Sequence, residues 1–389
     1  MNRRRIITAL SASGLAAGAT FAALAGAAGP VETSFVDKTA KVGAGVTIGK
    51  GSYVGPFADL MTSRRTTITI GDESNAQDSV LIDARKKSVR IGSKAILAHG
   101  SAALNGASIG AQGTCPEKAA TCGSFVSFNA LVDGGIVEKN AMVSALARVG
   151  PGVRIPSGRK VLPGKNVTSQ SQVEGATAEV GEADLEFMEG VLHVNTSFAR
   201  EYPKLLASDP SAGTGINYDA GGSDFNKTRD LPTLKGTKVK DPKFRNRIIG
   251  DVHLEQSVAE LKKVMGGKIS LRGDEGEPFE VGAIARMGSR TTFHALEHSH
   301  LHMGEEGRYG FRSIVHGGPT EFEGAEENMT ITGKNVRIGA WAVFFRSRIG
   351  DGSVVGMKSV VQQSDLPAGT VVPPKVIMVE GKVAGKVEW

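Results

Sequence analysis

Near the start of the chain an aliphatic residue recurs every six positions and is followed by glycine: Ala40-Lys-Val-Gly-Ala-Gly, Val46-Thr-Ile-Gly-Lys-Gly, Ser52-Tyr-Val-Gly-Pro-Phe. The unit resumes at Thr67-Ile-Thr-Ile-Gly, Ser88-Val-Arg-Ile-Gly and Ala107-Ser-Ile-Gly, and again from Val143 to Gly152. It returns at Asn335-Val-Arg-Ile-Gly, Ser347-Arg-Ile-Gly-Asp-Gly and Ser353-Val-Val-Gly-Met. A six-residue unit is one short strand plus one corner, and three such units close a triangular coil. The aliphatic residue points inward onto its copies in neighbouring coils. Glycine follows because the corner needs torsions or close packing that a Cβ would hinder. The pattern predicts a mainly β chain of two left-handed parallel β-helices, with a packing α-helix after the first. A single coil buries little, so stacked neighbours supply the stability.

Between the repeat blocks the period changes. Leu185, Phe187, Met188, Val191, Leu192 and Val194, then Phe198, Tyr202 and Leu205, have largely helical spacing and predict a helix from Ala183 to Leu206. Residues 207–240 are rich in Gly, Ser, Asp, Pro and Thr and read as a linker. The second repeat block begins near Arg247-Ile-Ile-Gly-Asp-Val, and Ser257 to Met265 reads as a short helical insertion. The expected plan is an export signal at 1–29, a first β-helix with its C-terminal helix at 30–206, the linker, and a second β-helix at 241–389.

Composition agrees with this plan. The 389 residues give room for two domains, and 51 glycines with only 5% aromatics argue against a helical bundle. The net charge of +6 is spread along the chain without a patch of interleaved basic and aromatic residues, so no nucleic-acid partner is expected. Arg3-Arg4-Arg5, an apolar run from Ile6 to Leu24 and the small residues Ala25-Gly26-Ala27-Ala28 read as a cleaved signal. The alternative is an uncleaved membrane anchor. Either way the chain is expected outside the cytoplasm, periplasmic or extracellular. In such a chain the two cysteines, in Cys115-Pro-Glu-Lys-Ala-Ala-Thr-Cys, read as a disulfide-closed loop, with a metal pair as the rival reading.

Repeats of this type do not define an activity, so function must come from the site. Ile70-Gly-Asp-Glu-Ser-Asn-Ala-Gln-Asp-Ser-Val, Ile96-Leu-Ala-His-Gly-Ser, Val153-Arg-Ile-Pro-Ser-Gly-Arg and Val191-Leu-His-Val-Asn resemble segments of the γ-class carbonic anhydrases over residues 34 to 206. In that family three histidines hold a metal, typically zinc, between neighbouring β-helices; one protomer gives two and its neighbour the third. By this resemblance His99 takes the third-ligand position of the first half, while Asp83 and Leu104 fall on the other two. The family's Arg-x-Asp-Glu segment falls on Met61 to Arg64 and is lost. In the second half, Ile269-Ser-Leu-Arg-Gly-Asp-Glu-Gly-Glu-Pro supplies it as Arg272, Asp274 and Glu275. Phe293-His-Ala-Leu-Glu and Val315-His-Gly-Gly-Pro resemble the segments of the other two ligands, at His294 and His316, and Phe311 falls on the remaining position.

The resemblance therefore implies one set of metal ligands divided between the halves: His99, His294 and His316, binding zinc, with iron or cobalt also suited to three imidazoles. It implies a lyase that hydrates carbon dioxide to bicarbonate through metal-bound hydroxide, and a homo-oligomer or pseudo-trimeric assembly. Gln77 matches a glutamine contacting metal-bound solvent, Asn195 an asparagine placing substrate, and Glu297 a proton-shuttling glutamate. Arg272 and Asp274 match residues of cross-interface ion pairs. The rival reading is a noncatalytic carbonic-anhydrase-like scaffold or assembly protein; a hexapeptide acyltransferase would need a coenzyme groove for which there is no distinct signal. His298, His300 and His302 alternate and would share one face of an extended segment, to bind a second metal, deliver metal or shuttle protons; the alternative is a solvated flexible loop. His193 and His253 read as structural.

Overall fold

The computed structural model describes residues 32–115, 122–208, 245–250, 252–274, 279–296, 299–320 and 328–389. The expected export signal lies outside these residues, as does the expected linker from residue 209 onward. The chain divides into two compact units. The first runs to Arg200 and takes back Val387–Trp389; the second is Glu201–Lys386. No helix among the described residues is long and apolar enough to cross a membrane.

The first unit is a left-handed β-helix. Successive strands pass to three sheets in rotation, so each sheet takes every third strand and the sheets hold eight, seven and six. The pairing is parallel and in register, except for the closing strand Thr177–Glu179, which runs antiparallel to Arg159–Val161. Register turns the six-residue period into three inward stacks. One is Val54, Ala76, Leu97, Val126, Val143 and Val161. A second is Leu60, Ile82, Ala103, Val132, Val149 and Val167. The third is Ile48, Ile70, Ile91, Ile109, Val137 and Ile155. All but Ile48 are buried. Full burial of such side chains contributes about 1.5–3 kcal/mol each for the larger ones.

Close approach, rather than torsion, explains the glycine after Ile70 and after Ile91, whereas Gly110 after Ile109 has a positive φ of 65°. A Cβ on Gly92 would lie 2.1 Å from the Gly110 carbonyl oxygen, and one on Gly71 would lie 2.4 Å from the Ser93 nitrogen. Two residues further on, Glu73 and Lys94 adopt positive φ (54° and 58°) without being glycine. A left-handed non-glycine residue costs about 1–3 kcal/mol and persists where the surrounding coils hold it in place.

Phe35, Tyr53, Ile96, Phe125 and Met142 form an outward row on the eight-stranded sheet, interrupted by Asn75. The helix Glu182–Ser208 covers this row, with Phe187 edge-on to Phe125 and Phe198 against Tyr53. It contains Pro203 and continues through Ala207 and Ser208, which the composition had assigned to the linker; neither of these two residues is a helix breaker. The C-terminal residues close the other face: Trp389 donates from Nε1 to the Leu146 carbonyl at 2.6 Å and packs under the Arg148 guanidinium.

The second unit repeats the plan with sheets of eight, six and five strands and the antiparallel closing strand Lys382–Lys386. The short helix Val258–Val264 lies where the insertion was expected, with Ser257 and Glu260 forming a capping box. Larger residues fill this core: Leu271, Phe293, Val315, Phe344 and Val361 make one stack, and Met287, Tyr309, Ile338, Val355 and Val372 another. Inside the coil Tyr309 meets Thr332, which is stacked between Met303 and Ile349, hydroxyl to hydroxyl at 3.0 Å. Burial pushes the Tyr309 phenol up to about 12.

That buried hydroxyl pair gives a direct test of the core. Thr332→Val should lower stability by about 1–3 kcal/mol, because it strands the Tyr309 hydroxyl. Adding Tyr309→Phe should return most of the loss, since both partners are then apolar. Thermal unfolding of the two variants compares them; a double variant no better than the single one would show that packing, not hydrogen bonding, sets the cost.

Candidate functional site

In the second unit Arg272, His294, His316, Phe345 and Gln362 stand in one row, each on the next coil of the eight-stranded sheet. The row exists because Leu271, Phe293, Val315 and Phe344, one residue earlier on each strand, all point inward, which turns their successors to the opposite face. His294 and His316 are both buried, with ring centroids 4.9 Å apart and planes at 80°. His316 Nδ1 lies 2.9 Å from the Gly317 carbonyl, which can only accept; Nδ1 therefore carries the proton and Nε2 keeps its lone pair. Phe345 closes the row against His316, centroid to centroid at 5.4 Å.

At the foot of this row Arg272 and Asp274 are buried together. Nε donates to Oδ1 at 3.0 Å and an Nη donates to Oδ2 at 2.8 Å. The Tyr202 hydroxyl donates to the same carboxylate. Arg272 and Asp274 thus pair with each other within the second unit, two residues apart on one chain. Glu275, Glu297 and His298 lie outside the described residues.

The first unit has the corresponding row, with different chemistry. Met61, Asp83, Leu104 and Asp133 follow one another on adjacent coils. Leu104 has no donor atom. The Asp83 carboxylate is held by Arg85, with Nε at 3.0 Å from Oδ1 and Nη2 at 2.7 Å from Oδ2, and the guanidinium lowers its pKa. The only histidine in this part of the unit is His99, fully buried at the corner after Ala95–Leu97. Its Nδ1 sits 3.1 Å from Oδ2 of Asp78, a carboxylate that is itself fully buried, and its ring stacks on Phe128. A carboxylate beside one ring nitrogen is the kind of neighbour that orients metal-ligating imidazoles.

Gln77 immediately precedes Asp78 and is buried. Asn195 is buried on the helix Glu182–Ser208, its amide donating to the Val191 carbonyl at 2.8 Å. Sequence reasoning missed Asn75. It interrupts the apolar row under the helix and is 1% exposed, and its side-chain amide has no hydrogen-bond partner among the described residues. Such a group calls for an explanation. The signal was available: a polar residue at an outward position otherwise taken by Phe, Tyr and Ile. Phe311 is 43% exposed and packs against Trp341. His300 and His302 do share the outer face of the strand His300–Met303, while His193 and His253 are exposed. Cys115 and Cys122 are joined by a disulfide.

Comparison with known proteins fits this arrangement. No family model matches the chain. It is 27% identical to a carbonic anhydrase of Methanosarcina thermophila over 44% of this chain and 72% of that protein. It is 31% identical to the mitochondrial gamma carbonic anhydrase 1 of Arabidopsis thaliana, over 32% of this chain and 44% of that one. It is also 25% identical to the carboxysome assembly protein CcmM of a Nostoc species, spanning 36% of this chain but only 24% of the relative. Among solved structures, a hexapeptide transferase family protein from Anaplasma phagocytophilum aligns over 43% of this chain and 91% of its own, with 17% identity and a TM-score of 0.29.

The buried Arg272–Asp274 pair should behave as a structural unit. Asp274→Ala leaves a buried guanidinium without its carboxylate and should cost about 3–5 kcal/mol. Tyr202→Phe removes one bond to a charged group and should cost less, about 1.5–3 kcal/mol. Chemical denaturation of both variants gives the ranking; equal losses would mean that the tyrosine, not the arginine, holds the carboxylate.

Proposed function

We propose, from the premise that the chain is a γ-carbonic-anhydrase-like protein, that it catalyses metal-dependent, reversible hydration of carbon dioxide to bicarbonate. The reading assigns one metal to His99 of the first unit and His294 and His316 of the second, the three histidines that match the ligand segments of that family. One observation carries it: the two units have complementary losses. The first keeps His99 but has a leucine and an arginine-bound aspartate on its row; the second keeps two histidines side by side but has Phe311 at the remaining position. Independent decay would seldom leave such a division.

The donor set suits the metal. His316 presents Nε2, and Asp78 can orient His99 from behind. Three neutral imidazoles with an open fourth position fit catalytic zinc, and iron or cobalt equally. A bound metal of this kind supplies water acidified to near neutrality, the nucleophile the reaction requires. The chain's own residues do the rest. Gln77 and Asn195 offer amides that orient solvent and substrate, and Asn75 offers a third. Glu297 takes the proton away from the site, which each turnover demands. Phe345 and Phe128, packed on the histidines, restrict ring motion and exclude bulk water.

A second reading, a noncatalytic scaffold, draws support from the match to an assembly protein and from Leu104 and Phe311, neither of which can bind a metal. The two readings separate in one experiment on untagged protein. The catalytic reading expects about one tightly held metal per chain, carbon dioxide hydration by stopped flow, and loss of both in His99→Ala and in His294→Ala. Mixing the two variants tests the site's composition: recovered activity means that the ligands come from different chains, continued inactivity that they come from one. Well-folded wild-type protein that takes up neither zinc nor iron and is inactive would leave the scaffold.

A further inference from the structure

A second row of histidines lies on a different sheet of the second unit. His253, Glu280 and His302 occupy one register position on three successive coils, in the strands Val252–Leu254, Phe279–Val281 and His300–Met303. Their neighbours Val252, Phe279, Val281, Leu301 and Met303 are buried in the core, so alternation turns all three outward. Glu280 stands between the two imidazoles. Its Oε2 is 3.0 Å from His302 Nδ1. The row lines a surface groove of about 370 Å³ that Glu255 and Glu305 also border. Glu255 is occupied by the Ala283 backbone N–H at 2.9 Å and Glu305 by Lys334 at 2.9 Å. Gly282 and Gly304 leave that wall without side chains.

We propose that His253, Glu280 and His302 form a second metal site, specific for a divalent transition cation of the zinc type. Two imidazoles and one carboxylate are the ligands such borderline ions prefer, while calcium and magnesium prefer all-oxygen sites. The coil repeat sets the spacing: adjacent rungs are about 4.8 Å apart, so the outer imidazoles begin about 9–10 Å apart at the backbone. Metal–nitrogen bonds of about 2.0–2.1 Å require each ring to lean about 3 Å toward the central carboxylate. At an exposed position a change of rotamer provides that reach. Without a cation, the exposed His302–Glu280 contact has little value; a cation lets the same carboxylate serve both histidines. Glu255 and Glu280 give the groove the sign of charge that attracts a cation, while Glu305 is offset by Lys334.

The site uses none of the residues assigned to carbon dioxide hydration, so it stands or falls separately. Full-length untagged protein, stripped with chelator, would be titrated with zinc chloride alone by calorimetry. Wild type should show a weaker class of about one ion per chain besides any tight class. His253→Ala and His302→Ala should each weaken that class at least tenfold, and Glu280→Gln should weaken it as well, with circular dichroism and the tight class unchanged. A His294→Ala protein should lose the tight class and keep the weaker one. Cobalt absorption gives a second readout, losing intensity in the same three variants, and excess magnesium should not compete. Isotherms of His253→Ala and His302→Ala that overlay wild type would overturn the proposal, as would a weaker class displaced by magnesium. Should an alanine variant misfold, His302→Gln keeps the side-chain bulk, removes the imidazole and must give the same loss.

Discussion

In-register stacking of one coil on the next is the constraint on which everything else here depends. Parallel pairing repeats each strand's position about 4.8 Å above the last. A residue's role is thus fixed by its place in the coil and by which residues occupy that place above and below. The inward places need aliphatic residues of matched size, and the corners need glycine where stacked backbones come within van der Waals contact. A slip of one residue would turn every inward side chain outward. The register is therefore strongly enforced, and it carries the chemistry with it: any functional side chain becomes part of a vertical row.

Rows explain how a fold with no deep cleft within one coil can gather polar groups. His294 and His316 are neighbours because Phe293 and Val315 are stacked partners in the core. The same rule puts His253, Glu280 and His302 in line. In the first unit it lines up Met61, Asp83 and Leu104 where the second has Arg272, His294 and His316, so the two units can be compared rung by rung. The two units thus carry different side chains on a row that faces away from the inward stacks.

The buried polar groups divide into two kinds. Arg272, Asp274 and Tyr202 satisfy one another, and Tyr309 satisfies Thr332; these contacts hold the second unit's rungs together. Asn75 is different: its buried side-chain amide has no hydrogen-bond partner among the described residues, and such burial costs stability.

The six-residue period by itself determined the β-helix, the inward residues and the division into two repeat blocks, because a coil of three strands has a fixed length and leaves its mark in every turn. Helical spacing determined Ala183 to Leu206 to within two residues, and family-like motifs located His99, His294 and His316. Tertiary structure decided what no period encodes. The spacing of His294 and His316 in sequence includes a bulge, so their direct opposition was settled only by strand register. Arg272 turned back onto Asp274, an ion pair set by side-chain reach rather than by sequence distance. Asn75 looked like one polar residue among many until the helix Glu182–Ser208 covered its row. His253, which read as structural in isolation, stands in line with a carboxylate on the next coil and a second imidazole on the one after. They come from coils distant in sequence, and only folding brings those coils together.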